Sequence, residues 1–272
     1  MQQFKLLVLT DHTNHSAENS IYTFMKVMRQ HPRCAQVDVA SRGNPANAAF
    51  FDLQQSETLT VSTAGEDFAF HADGRSLFKN QHPVNTSDYD LIWMRMPPPL
   101  TESFVSFIKN TFADQFVFNA PKAVYEMGSK AFLLNFPELC PPMQICQTVE
   151  DIIAFKSKFP IVLKPFRDFG GRGIVKVDGD EVAVGKRIIS FDEFAQQLKP
   201  DGNNYLGVKF LKNVGEGDKR IIVVNGKILG ASLRLPPKGS WICNVSAGGS
   251  SNLAKVDERE REIVETINRR FS

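Results

Sequence analysis

The chain has 272 residues, 42% hydrophobic and 23% charged, enough for one large or two ordinary domains with a buried core. Lys+Arg 32 against Asp+Glu 30 leaves a formal net charge of +2, a near balance that gives no sign of a nucleic-acid or membrane-surface footprint. No apolar run approaches the ~18 residues a membrane span needs. The N-terminal F-K-L-L-V-L, broken by Lys5 and stopped by Asp11, is too short for a signal-peptide core. Cys34, Cys140, Cys146 and Cys243 form no C-x-x-C pair and no zinc-spaced cluster, so reduced thiols and a cytoplasmic protein are expected.

Phe4 to Leu9 is the near-continuous apolar run of a strand covered on both faces. A polar loop, D-H-T-N-H-S, leads into a helix with Ile21, Phe24, Met25 and Met28 on one face, stopped by Pro32. Gln36 to Ala40 reads as a second strand, so the chain opens as an α/β sheet. His12 and His15 fall in the loop on the crevice side of that sheet, where solvated histidines are commoner than metal ligands. Short alternating pieces, Thr58 to Ser62 and Phe68 to His71, follow between turns. Asp90 to Arg95 is a buried strand whose terminal arginine suits either an anionic substrate or a surface ion pair, and Met96-Pro97-Pro98-Pro99 continues it as an extended path. Thr101 caps a helix with Phe104, Ile108 and Phe112 on one face, and Phe116 to Phe118 closes the first unit as a strand.

Asn119-Ala120-Pro121 reads as a domain joint, followed by short helical pieces around Lys130, an edge strand near Gln144 to Gln147 and a helix from Glu150 to Lys158. Pro160 to Val177 then reads strand, glycine loop, strand. Ile161 to Leu163 end on Lys164, and Gly170, Gly171 and Gly173 let the backbone take φ > 0 and approach a ligand closely. A lysine facing a loop rich in N–H donors suits a polyphosphate. A hairpin with a glycine-rich turn and a snorkelling lysine fits the same residues. The Walker pattern is excluded, because this lysine precedes the glycines and no helix follows. Asp192 to Leu198 reads as a helix and Tyr205 to Leu211 as a strand. Lys219 to Val224 and Lys227 to Leu235 flank Asn225-Gly226, the strongest short-range hairpin signal. Trp241 to Ser251 is a small-residue loop. The last helix puts Ile263, Ile267 and Phe271 at i, i+4, i+8, with Glu258, Glu260, Glu262 and Glu265 on a solvated face.

The ordered set Lys130, Lys164 with its glycine loop, G-E-G-D-K-R (Gly215 to Arg220), S-L-R-L-P-P-K-G (Ser232 to Gly239) and N-V-S-A-G-G (Asn244 to Gly249) closely resembles the prokaryotic glutathione synthetases of the ATP-grasp superfamily. M-R-x-x-P-P (Met94 to Pro99) fits the same family, and the likeness runs over nearly the whole chain. It implies a fold of α/β and α+β parts: an N-terminal Rossmann-like (pre-ATP-grasp) substrate domain over 1–120, an ATP-grasp lobe with a glycine-rich lid over 121–203, and a second lobe over 204–272. It implies an ATP-dependent carboxylate–amine ligase joining γ-glutamylcysteine and glycine through an acyl phosphate, with ATP and Mg²⁺ as cofactors, no nucleic-acid or membrane partner, and a homo-oligomeric assembly.

By the same resemblance Lys130 and Lys164 hold the α and β phosphates, and Gly170, Gly171 and Gly173 lie in the lid. Lys209, Phe210 and Leu211 form the hinge facing adenine, with Asp218 near the ribose. Arg220 lies near the phosphates and peptide, and Arg234 stabilises charge on the transferring phosphoryl group beside Asn244. Gly248 and Gly249 shape the tripeptide site, and Arg95 lies on its carboxylate-binding side. The chemistry agrees: bringing two anions together needs cations and positioning rather than a protein nucleophile, and Lys130, Lys164, Lys219, Arg220 and Arg234 answer that need. Two departures are expected to matter. Pro97 stands where the family usually has an acidic residue. The family's magnesium carboxylates come from D-x-I-G and E-x-N segments beyond the position of Ser272, so no metal ligands are assigned within the chain. The alternatives are an ATP-grasp ligase for another amino acid or peptide, or a catalytically silent nucleotide-binding protein.

Overall fold

The computed structural model describes residues 2–168, 170–200 and 202–271, which divide into two compact units, Met1–Gly128 and Ser129–Ser272.

The first unit contains β1 (Phe4–Thr10), α1 (Ile21–Arg29), β2 (Cys34–Ser41), α2 (Ala48–Phe51), β3 (Thr58–Thr63), β4 (His82–Asn85), β5 (Leu91–Met94), α3 (Glu102–Thr111), β6 (Phe116–Phe118) and α4 (Pro121–Met127). Its sheet runs β4-β3-β2-β1-β5-β6. β1 pairs parallel with β2 and β5, and β5 with β6, while β3 and β4 join antiparallel. Leu6, Leu7, Val8 and Leu9 are all buried because both faces of β1 are covered. On one face Leu7 and Leu9 meet Phe50, Ile92, Phe104 and Ile108; on the other Leu6 and Val8 meet Ile21, Met25 and Trp93. The Thr101 hydroxyl accepts the Phe104 N–H at 3.1 Å and starts α3 as its sequence requires.

Two readings change. Phe24 leaves the buried face of α1 and is 49% exposed, its ring edge-on to Trp93. Phe68 to His71 is not a strand; the strand that completes this end of the sheet is β4, whose Pro83 is tolerated because an edge strand needs ladder donors on one side only. Chain order reverses at β1, which has β2 on one side and β5 on the other. The carboxyl ends of β1 and β5 therefore open on a switch-point crevice.

The second unit holds two sheets. The first is antiparallel throughout, in the order β11-β10-β9-β8-β12-β7. Its strands are β7 (Met143–Cys146), β8 (Ile161–Pro165), β9 (Val175–Asp178), β10 (Glu181–Val184), β11 (Arg187–Ser190) and β12 (Tyr205–Lys209), with helices α5 (Val149–Lys156) and α6 (Phe191–Gln196). Ile161, Leu163, Val175, Val177 and Val182 bury one face against Ile152, Phe155, Phe191 and Phe194 of the helices. The β10–β11 hairpin goes beyond what the sequence reading placed, although Gly185-Lys186 marks its turn and Gly179-Asp180 the turn that leads into it from β9.

The second sheet is β13 (Asp218–Val224), β14 (Lys227–Leu235) and β15 (Ser250–Ala254), followed by α7 (Glu258–Phe271). Asn225 and Gly226 take φ of 47° and 73°, the left-handed pair a two-residue hairpin needs. β15 begins within Trp241 to Ser251, which in the sequence reads as a loop. Gly249 lets it start there: a Cβ would stand 2.5 Å from the Cys243 carbonyl oxygen and 2.9 Å from that of Leu235. Gly249→Ala is therefore expected to cost about 2–3 kcal/mol through forced backbone movement, seen as a lower urea midpoint.

α7 corrects another expectation. Val264 is its buried residue, Ile263 and Ile267 are half-buried, and Phe271 is 56% exposed. Glu260 is not solvated: it accepts the Asp257 N–H at 2.9 Å, Asp257 accepts the Glu260 N–H at 2.9 Å, and its carboxylate pairs with Lys219 at 2.7 Å.

Candidate active site

The alternation of β8 decides where Lys164 goes. Ile161 and Leu163 point to the helices, so Val162 and Lys164 point to the opposite face. Register places Leu206 and Val208 of β12 and Lys176 of β9 on that same face. Val162, Leu206 and Val208 are buried. The result is an apolar floor flanked by the ammonium groups of Lys164 and Lys176.

Lys130 comes from the 3-10 turn Lys130–Asn135. Its ammonium donates to the carbonyls of Pro165, at 2.7 Å, and Asp168, and its N–H donates to Phe166 at 2.9 Å. The turn is thus tied to the start of the glycine loop. Across the cleft, Arg234 grips Asp218 through two hydrogen bonds of 2.6 Å each. Direct pairing of Asp218 with Arg234 and of Arg220 with Ser232 puts Asp218, Arg220 and Arg234 on one face of the second sheet. Arg220 is exposed there, and its side chain makes no hydrogen bond or ion pair among the described residues.

The glycine loop leans on the segment that follows β14. Gly170, Gly171 and Gly173 have φ of 70°, 84° and 66°. The Ser246 hydroxyl donates to the Gly170 carbonyl at 3.4 Å. A Cβ on Gly171 would approach Ile242 to 3.1 Å and Asn244 Oδ1 to 3.4 Å. Next to the floor, the Phe210 ring meets Trp241 edge-on at 5.9 Å, and the Lys176 ammonium sits 4.4 Å from its centroid. Lys209 lies over Phe159, and Leu211 is exposed. Gly248, with φ of 91°, donates its N–H to Val245 at 3.0 Å, and the Gly249 N–H reaches Asn244 at 3.1 Å.

Lys219 does not join this cleft. One residue away from Arg220 along the strand, it points to the other face, where its ammonium meets Glu260, Asp257 and the Lys255 carbonyl. It anchors α7, so it leaves the set of cations expected to serve phosphoryl chemistry. Arg95 belongs to the first unit, at the mouth of the β1–β5 crevice. Lys176, Trp241 and Asp168 were not anticipated. The V-K-V alternation of β9 carried the signal for Lys176; nothing local in the sequence pointed to the other two.

Burial pushes the Lys164 ammonium below the ordinary lysine value, with Asp218 and Cys140 opposing, and among the described residues it has no hydrogen-bond or ion-pair partner. Burial lowers Lys130 too, with Lys164 adding to the shift and Asp168 opposing it. Lys130, Lys164, Asp218 and Arg234 therefore lie within electrostatic reach of one another, as links of one chain of charges. Desolvated cations beside a glycine cradle and an apolar floor fit a nucleotide triphosphate.

The family profile described as prokaryotic glutathione synthetase, ATP-grasp domain, matches residues 129–272, more than half of the chain. The chain belongs to this family. Two relatives, both glutathione synthetases, are that of Bradyrhizobium diazoefficiens, 31% identical over 183 residues (66% of this chain and 56% of the relative), and that of Rhodopseudomonas palustris, 29% identical over 188 residues (68% and 58%). The matched part is thus under two thirds of either glutathione synthetase. A crystal structure of the D-cycloserine synthetase DcsG superposes on 96% of this chain and 78% of its own at a TM-score of 0.60 and 12% identity, which shows a shared fold. The expected architecture of α/β and α+β parts holds. Among the described residues no three His, Cys, Asp or Glu stand together as a metal-holding group, and no helix is long and apolar enough to cross a membrane.

The lysine shifts fix the sign of a pH effect. Burial disfavours both ammoniums in the absence of ligand, and phosphate oxygens oppose that effect. ATP binding is expected to take up protons in alkaline solution. Its affinity should fall as pH rises through the depressed lysine values, before the ordinary 10.5 is reached. Calorimetry in two buffers of different ionisation enthalpy measures the uptake.

Proposed function

We propose that the chain is an ATP-dependent carboxylate–amine ligase of the glutathione synthetase type, joining γ-glutamylcysteine and glycine through an acyl phosphate. The observation that carries this reading is the run of charges Lys130–Lys164–Asp218–Arg234 around the glycine loop of the second unit. Bound ATP supplies the phosphoryl group that activates the carboxylate. Lys130 and Lys164 hold its phosphates, while Gly170, Gly171 and Gly173 close over them with backbone N–H groups free of side-chain obstruction. Phe210 and Leu211 face the base, with Lys209 at the end of the same strand, and Asp218 lies toward the ribose. Arg220 and Arg234 offset the charge that gathers where two anions meet, with Asn244 alongside. Gly248 and Gly249 leave room for the peptide, and Arg95 takes a carboxylate.

In this reading 1–120 is the substrate domain, and 121–203 and 204–272 are the facing lobes. Magnesium belongs to the reaction class, but the described residues offer no donor set for it and no step is assigned to it. The assembly is a homo-oligomer, which sedimentation velocity tests.

Incubation with ATP, γ-glutamylcysteine, glycine and Mg²⁺ should release ADP and phosphate only when both substrates are present. Release that ignores both rules out this specificity. A second reading, a ligase for another peptide or amino acid, is favoured by Pro97. Its carbonyl is held by Arg42 at 3.4 Å, and the same guanidinium binds the Pro99 carbonyl at 3.1 Å and Asp11 at 3.0 Å. A substrate panel at fixed ATP separates the two. Nucleotide binding without turnover of any substrate leaves a silent ATP-binding protein.

A further inference from the structure

The crevice at the carboxyl ends of β1 and β5 holds a cavity of about 330 Å³ lined by Thr10, His15, Asn19, Arg95 and Asn119 among others. Arg95 is its cation. The guanidinium donates to the Ser20 hydroxyl at 2.9 Å and lies 5.7 Å from the Trp93 ring centroid, but it faces no carboxylate among the described residues. Asp11, the nearby acid, is committed to Arg42, Thr13 and Asn14. The Asn19 side-chain oxygen accepts the Ile21 N–H at 3.1 Å, which leaves the amide nitrogen as a donor.

His15 adds something different. Its Nε2 is 2.9 Å from the Thr10 hydroxyl and its Nδ1 is 2.9 Å from the Tyr22 hydroxyl. The Thr10 hydroxyl also donates to the carbonyl of Arg95 at 3.3 Å. A neutral imidazole donates to one of these hydroxyls and accepts from the other. An imidazolium donates to both, so on protonation one hydroxyl must turn its own proton away from the ring and accept where it had donated. Both hydroxyls can then serve as acceptors, and Thr10 keeps its own proton for the Arg95 carbonyl.

We propose that His15 is a specificity-determining residue of this crevice: as imidazolium held between Thr10 and Tyr22, it supplies a second positive charge beside Arg95 for a ligand bearing a carboxylate. The charged and titratable groups around it are Arg95 at the end of β5, Tyr22 on α1, and Asp11 and His12 in its own loop. Burial holds His15 below the ordinary histidine value; His12 and Arg95 push the same way and Asp11 opposes. Tyr22 stays a neutral phenol, its own value pushed up to about 12 by burial. Burial and the neighbouring positive charge therefore favour the neutral ring in the absence of ligand. A carboxylate docked at Arg95 cancels the repulsion and draws a proton onto the ring. Binding takes up a proton, and affinity rises as pH falls toward the value of the free histidine.

This rests on the ligase reading for its choice of probe, γ-glutamylcysteine. Calorimetry on the full chain at several pH values, with wild type and His15→Gln, measures affinity and proton uptake together. Glutamine preserves a donor and an acceptor for the two hydroxyls but cannot ionise. Wild type should bind the peptide roughly three- to tenfold more tightly at about pH 5.5 than at about pH 8, with proton uptake. His15→Gln should lose both the slope and the uptake. Equal slopes in the two proteins, or no binding at any pH, overturn the proposal. Turnover with a pH-flat peptide KM in both keeps the ligase reading and removes this role for His15. PH-dependent binding without turnover does the reverse.

Discussion

Replacing Lys164 by alanine is expected to weaken ATP binding by roughly 30- to 1,000-fold, the loss of about 2–4 kcal/mol that follows removal of a desolvated cation from its anion. The free protein should not be harmed. Lys164 carries the cost of burial without any hydrogen-bond or ion-pair partner among the described residues, so its removal relieves that cost and leaves the thermal midpoint level or slightly raised. Lys219→Ala provides the contrast. That ammonium bonds Glu260 at 2.7 Å and the Lys255 carbonyl at 3.0 Å on the far side of the same sheet. Its loss should lower the midpoint and leave ATP affinity within about twofold, since the charge lies outside the cleft and surface pairs contribute about 1 kcal/mol or less. Calorimetric titration of ATP and a thermal melt on both variants decide the matter. If Lys164→Ala binds ATP like wild type, the cleft is not the nucleotide site.

The contrast between these two lysines also shows what the sequence could carry. Lys164 was legible because it ends a short apolar run and precedes three glycines within ten residues. The alternation of D-K-R on β13 was legible too, but which of its faces looks into the cleft is set by tertiary packing. α7 covers one face, and its Glu260 claims Lys219. A count of basic residues could not separate Lys219 from Arg220. The same limit hid Trp241, which meets Phe210 across 31 residues of chain, and Asp168, whose carbonyl receives Lys130. Most strands could be placed from apolar runs and turn residues. β4 and β15 could not, because Pro83 and the small residues after Gly248 mask strands that long-range pairing imposes. His15 lay in plain view in a polar loop, yet its place between Thr10 and Tyr22 depends on how α1 returns to β1.

Arg234→Ala is expected to lower kcat by roughly 100- to 1,000-fold, the usual effect of removing one group aimed at charge that develops during reaction. The geometry complicates a simple reading of that number. Arg234 holds Asp218 through two bonds of 2.6 Å, and Asp218 acts in turn on Lys164. Truncating the arginine therefore leaves the Asp218 carboxylate without its guanidinium partner beside the proposed phosphate site, and KM for ATP should rise several-fold along with the fall in kcat. The double variant Arg234→Ala/Asp218→Asn separates the two effects. Removing the stranded charge should return KM for ATP to near the wild-type value, while kcat stays depressed because the Arg234 guanidinium no longer faces the transferring group and Arg220 alone remains. Recovery of kcat together with KM would mean that Arg234 serves only to neutralise Asp218 and hold the hairpin. Steady-state kinetics of the single and double variants at saturating peptide and glycine distinguish these outcomes, because the pair is coupled and neither single value measures the arginine alone.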